Sequence, residues 1–158
     1  MINRFNIRVY GVLITSDNKL LVSDEVIAGR AITKFCGGGL EFGEGTIACL
    51  KREFLEEMNL PIDVDRHFYT TDIFQQSAFK DTDQILSIYY RVTAKKNIAQ
   101  VLSVKNTGSF TGQNEIFEGI ESNQNFRLIP VASLLTSDFT LPLDKFVADM
   151  IIREFEAS

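Results

Sequence analysis

Three glutamates, Glu53, Glu56 and Glu57, fall within a five-residue stretch, with Arg52 immediately before the first. On a helix, residues three and four apart share a side, so Glu53 would stand beside both Glu56 and Glu57. Like charges at that spacing each cost a helix about 0.2–0.5 kcal/mol unless something positive lies between them. Arg52 can pair with Glu56, four residues on. A hard divalent cation is the simplest further candidate, because Mg²⁺ and Mn²⁺ take carboxylate oxygens and keep waters and substrate phosphates as their remaining ligands. Such an ion supports attack of water on phosphorus: it acidifies the water and neutralises charge growing on the phosphoryl oxygens. Close-set carboxylates titrate as a coupled set, which leaves one of them able to act as a base toward that water.

The carboxylates line up only if residues 46–58 are helical. Ile47, Leu50, Phe54 and Met58 recur at three- and four-residue intervals, which predicts an amphipathic helix from Thr46 to Met58. Thr46 can cap its start, and Asn59, tolerant of a left-handed backbone, ends it two residues before Pro61. Upstream, Gly37-Gly38-Gly39 permits close approaches and conformations closed to other residues, as a ligand cradle or a sharp turn would need. A short strand, Ala31–Phe35, leads into these glycines, with Arg30 and Lys34 as candidate phosphate contacts. Ile7–Thr15 and Leu20–Ser23 flank the turn-forming Ser16-Asp17-Asn18-Lys19 and read as a hairpin. Phe68–Phe74 and Ile85–Thr93 read as a second strand pair. Lys105–Asn114 reads as a surface loop suited to substrate contacts, opening onto Glu115, Glu118 and Glu121. Phe126–Ile129 is a last strand, and a helix starting at Asp144 carries Phe146, Val147, Met150, Ile151 and Phe155 at helical spacing. Strands interleaved with two amphipathic helices imply one α/β domain over residues 1–158, its mixed sheet covered on both faces.

The segment GGGLEFGEGTIACLKREFLEEMNL, from Gly37 to Leu60, resembles the Nudix box. Gly38, Glu44, Arg52, Glu53, Phe54, Glu56, Glu57 and Leu60 match its pattern, and Asn59 stands where the family has Gly. Asn is the replacement that best tolerates a left-handed helix end. Cys36 replaces the proline that often precedes the glycines. Six fixed identities at given spacing arise by chance about once in 10⁷ to 10⁸ positions. The resemblance implies a Nudix-type α/β/α sandwich whose box forms a loop–helix–loop metal site. By matching position it implies Glu53, Glu56 and Glu57 as ligands of Mg²⁺ or Mn²⁺, with Glu44 nearby, Arg52 orienting the carboxylates, and Gly37 and Gly38 against the substrate. Glu57 is one candidate base; Glu115 or Glu118 is the alternative, since some relatives place the base outside the box. The implied reaction is hydrolysis of a nucleoside diphosphate linked to another group. A domain that senses a nucleotide metabolite without turning it over is the alternative, and loss of box carboxylates would favour it; none is lost. No proline falls between Pro61 and Pro130, where some ADP-ribose-cleaving relatives carry one.

Composition narrows the partners. A net charge of −5 gives no large positive field for a nucleic-acid backbone, so the expected partner is a small nucleotide derivative. The start lacks a signal-peptide core and no stretch approaches the roughly 20 apolar residues that span a bilayer, so a cytoplasmic location is expected. Cys36 and Cys49 are too far apart for a CxxC motif and read as packed thiols. The single histidine, His67, excludes a His-pair or His-rich zinc site and reads as structural. Family resemblance suggests a homodimer.

Overall fold

The computed structural model describes residues 1–105, 114–117 and 120–158, without the side chains of residues 100, 103–105, 114–117 and 120–123. In chain order the elements are β1 (Arg4–Leu13), β2 (Lys19–Ile27), β3 (Arg30–Lys34), β4 (Cys36–Gly39), α1 (Thr46–Met58), β5 (Ile62–Thr70), β6 (Asp83–Ala94), α2 (Ile98–Lys105), β7 (Asn114–Phe117), β8 (Ile120–Pro130) and α3 (Pro142–Glu156). The strands form two four-stranded sheets, ordered β4-β1-β6-β5 and β3-β2-β8-β7. The first is mixed, because β1 runs parallel to β6 and antiparallel to β4. The second is antiparallel throughout.

Alternation along β1 divides the interior. Val9 and Leu13 face a core with Leu50, Phe54 and Met58 of α1, whereas Tyr10 and Val12 face a second core with Val147 and Ile151 of α3. Successive strand side chains point to opposite faces, so one strand serves both helices and the layering is α/β/α. That is the architecture expected from the sequence.

Several local expectations need correction. The first two strands do not make a hairpin: a turn closes with the Thr15 N–H on the Lys19 carbonyl, at 2.8 Å, and one bridge joins Ile14 to Leu20. The strands then part, because both edges of β1 are taken by β4 and β6. The second pair, β5 and β6, does form, but β5 covers Ile62–Thr70 rather than Phe68–Phe74. Its polar residues and two register shifts break the alternation by which a strand is recognised. Thr46 does not cap α1; Gly45 holds that position, and the Thr46 hydroxyl shares a 2.7 Å hydrogen bond with the Tyr90 hydroxyl. At the other end Asn59 takes the left-handed conformation, φ 51°, and its N–H closes onto the Leu55 carbonyl at 2.9 Å. The helix α2 was not foreseen, although Asn97 signals its start by accepting the Ala99 N–H at 3.0 Å. Cys36 and Cys49 are buried free thiols. His67 bonds Thr70 and stands edge-on to Tyr90.

Candidate metal and substrate site

The box helix α1 lies against β4 and β1, and β4 is almost bare of side chains. Gly38 pairs opposite Val9, and Gly37 opposite Tyr10. A methyl group on Gly37 would run into the Val9 carbonyl oxygen, and its φ of 151° suits only glycine. At Gly38 a methyl group would occupy the space of the Glu53 carboxylate. The glycines thus let a helix carboxylate lie directly on the sheet.

Arg52 organises the acids around it. Its Nε and Nη2 donate to the two oxygens of Glu44 at 3.0 and 2.7 Å, and Nη1 donates to Glu53 at 2.9 Å and to Glu56 at 3.2 Å. Nη2 also reaches the Gly39 carbonyl at 3.1 Å, and Glu41 stands at 3.8 Å. The paired bonds from Arg52 hold the Glu44 carboxyl at about 2, well below the usual range. Burial pushes the neighbouring Cys49 thiol up to about 12, with the Glu44 charge adding to it, so that thiol is no nucleophile at neutral pH.

The three helix glutamates grade from solvent to interior. The Glu56 side chain is 60% exposed and that of Glu53 is 15% exposed, while Glu57 is 3% exposed, on the packed side of α1 with Phe54 and Met58. Glu57 is therefore not part of a solvated face. All of these donors are hard oxygens, which suits Mg²⁺ or Mn²⁺. Among the described residues no three acidic, His or Cys side chains converge enough to hold a metal ion as they stand. Arg52 draws Glu44, Glu53 and Glu56 toward itself, engaging both oxygens of Glu44 but one each of Glu53 and Glu56.

The remaining sequence candidates fall in different places. Lys34 is turned inward, 1% exposed, with Nζ 3.0 Å from Glu25 Oε1 and 3.4 Å from the Phe35 carbonyl. The Arg30 guanidinium lies over the Phe79 ring, 5.3 Å from its centroid. Glu115 sits in β7 opposite Ser122; its side chain, with that of Phe117, lies outside the described residues, as do Glu118 and residues 106–113 of the expected loop.

Two clusters escaped the sequence reading. Arg8, 4% exposed, donates to the Tyr10 hydroxyl at 3.0 Å, and its Nη1 comes to 3.4 Å from the point where Gly39 would carry a Cβ. A charged residue inside the apolar run of β1 was the available signal. Behind it, a small cavity of about 40 Å³ is lined by Tyr10, Gln75, Ser87, Tyr89 and Asp144. Tyr89 donates to Asp144 at 2.8 Å, and burial raises the Asp144 carboxyl to about 7 despite that bond.

A family model described as the NUDIX domain matches residues 5–149. The chain belongs to the NUDIX family. Its reaction class is accordingly hydrolysis of phosphoric anhydride bonds. Among solved structures, this Nudix chain is similar to a MutT described for Aliivibrio salmonicida and Vibrio cholerae, at 18% identity and a TM-score of 0.56 over 95% of this chain and 98% of that one. A MutT protein from Methanosarcina mazei Go1 aligns at 11% identity and a TM-score of 0.63, over 98% and 97% of the two chains. A NUDIX hydrolase from Nitrosomonas europaea aligns at 16% identity and a TM-score of 0.64, over 100% of this chain and 76% of the other. At these identities the likeness is one of fold. No curated protein sequence matches the chain. Among the described residues of this Nudix domain, no helix is long and apolar enough to cross a membrane.

Proposed function

We propose that this Nudix chain is a divalent-metal-dependent hydrolase that cleaves the diphosphate linkage of a nucleoside diphosphate joined to another group. The observation that carries this reading is the fan of Glu44, Glu53 and Glu56 about Arg52 beside the bare glycine strand, with Glu57 on the same helix. Glu53, Glu56 and Glu57 would hold Mg²⁺ or Mn²⁺, with Glu44 beside them. The ion, when bound, neutralises charge on the phosphoryl oxygens and acidifies water. Arg52 fixes the carboxylates' orientation, which matters because small displacements of reacting groups cost large factors in rate. Gly37 and Gly38 make room for the Val9 backbone and the Glu53 carboxylate, so their part in substrate binding would be indirect, with Arg30 a candidate for its phosphates. Glu57 or Glu115 takes the proton from the attacking water. The same reading expects a cytoplasmic enzyme, working as a homodimer, on a small nucleotide rather than on long nucleic acid.

The test is Mg²⁺- and Mn²⁺-dependent phosphate release, coupled to a phosphatase, across nucleoside triphosphates, nucleotide sugars, ADP-ribose and dinucleoside polyphosphates. Turnover that needs both metal and Glu57 supports the proposal and names the substrate class. Silence across the panel with tight binding of one compound would instead identify a metabolite sensor.

A further inference from the structure

Lys34 has the type of a phosphate contact and the position of a core residue. Its side chain is 1% exposed, yet its cation has no place in the metal chemistry described above. The register of the antiparallel sheet shows what it faces. Lys34 pairs with Ser23, and Ser23 with Phe126, so these three side chains stand in a row on one face. Phe126 packs in the core with Phe54 and Met58 of α1. The same face of the sheet is therefore directed at the buried side of the box helix, where Glu57 lies. In the next row Glu25 pairs with Gln124, and the Gln124 amide donates to Ser23 at 2.7 Å and to Glu25 at 2.8 Å. This polar patch fixes Glu25, and Glu25 fixes Lys34.

A carboxylate as deeply buried as Glu57 carries a large desolvation penalty unless charges around it compensate. From this placement we infer that Lys34 is a positioning residue: locked by Glu25, its ammonium offsets the Glu57 charge from the core side and sets how strongly that carboxylate holds a cation from the solvent side. Burial alone would lower the Lys34 pKa, but the carboxylates of Glu25 and Glu57, with the Tyr10 phenol, outweigh it and hold the group above the ordinary lysine value, with Arg8 opposing them. Arg8 and Lys34 flank Tyr10, and the buried set comprises these two cations with the acids Glu25, Glu57 and Asp144. The inference rests on the proposal that Glu57 is a metal ligand.

Mn²⁺ binding to the full-length protein without substrate, followed by electron paramagnetic resonance, tests it without any readout of turnover. Glu25→Gln removes the balancing anion and leaves the Lys34 charge to act on Glu57, so Mn²⁺ affinity should fall by about ten-fold or more, the scale of one unit charge acting across roughly 10 Å of protein. Adding Lys34→Met to that variant removes the excess cation, and affinity should return to within about two-fold of wild type. A purely structural pair would recover stability in the double variant as well, so the deciding readout is Mn²⁺ affinity in folded variants and not stability. Circular dichroism establishes that each variant is folded; if Glu25→Gln is not, Glu25→Asp, which withdraws the carboxylate, should weaken Mn²⁺ in the same direction. Unchanged affinity in a folded Glu25 variant, or a double variant weaker than the single, overturns the inference. Glu57→Gln separates the two levels: wild-type Mn²⁺ affinity there would overturn the ligand assignment itself.

Discussion

Arg52 and Lys34 each stand among carboxylates, on opposite sides of one helix, and their surroundings differ in a way that separates chemistry from architecture. Around Arg52 one cation meets Glu44, Glu53 and Glu56, with Glu41 at the rim, and its side chain is 23% exposed. Negative charge is in excess there, and solvent can bring a second cation. Lys34 is sealed with Glu25 at 3.0 Å, and neither side chain is more than 1% exposed. An acid-rich open cluster suits the proposed metal, whereas a closed one can act on that site only through the placement and charge of its neighbours. Glu57 belongs to both regions, being on the helix of the first and in the interior of the second.

Substituting the shared residue should have the largest effect. Glu57→Gln is expected to lower turnover by about 10²–10⁴-fold, the range for a positioned base, in steady-state assays of phosphate release. Glu56→Gln should impair turnover as well and barely move stability, since its side chain is largely solvated. An unfolded Glu56→Gln variant, or one with full activity, would sink the assignment. On the closed side, Lys34→Met alone strands the buried Glu25 charge and should cost about 3–5 kcal/mol in urea unfolding. If it cost no more than a surface change, the two clusters would not differ as argued.

A smaller effect, readable through pH, concerns Asp144. Its ordinary carboxyl value of 3.8 is raised by burial to about 7 in the fold. The unfolded chain therefore loses this proton first, and stability is full below about 4, falls as pH rises toward 7, and is level above that. Asp144→Asn should remove that part of the slope in thermal melts run across this window; a slope unchanged from wild type would count against a buried, proton-holding acid. Least of all should Arg127→Ala matter. Its pair with Asp24 has side chains 46% and 37% exposed, so the loss should stay below about 1 kcal/mol by denaturant unfolding.

Legibility followed locality. The helix Thr46–Met58 was readable to the residue because its stripe, its Asn59 end and the following proline all act within a few positions. The acid set was readable for the same reason, as one contiguous motif. What the spacing could not convey was depth: Glu56 and Glu57 are adjacent in sequence, and only packing against β1 and β4 puts one in solvent and the other in the core. Lys34 is the converse, a charged type whose burial depends on Glu25 from the neighbouring strand. Arg8, Tyr10 and Asp144 come together from β1 and α3, and no local pattern links them. The Ser16–Lys19 turn was correctly located, yet the partners of β1 were decided by strands that follow much later in the chain.

That last fact bears on how the protein reaches its native state. The parallel pair of β1 with β6 joins Arg4 to Asp83, whose side chains meet across a separation of 79 residues, and runs on to Leu13 and Val92. The whole box, from the glycine strand to the acidic helix, lies inside the loop this pairing closes. Long-range closure is slow because chain entropy is lost before contacts reward it. On a ribosome β1 can pair with β4 before β6 emerges, but its other edge must wait, so the acidic helix meets an incomplete sheet until β6 arrives. Completion of the sheet thus follows synthesis of the box, and a nascent chain halted before residue 83 would carry the whole box without the central strand pair beneath it.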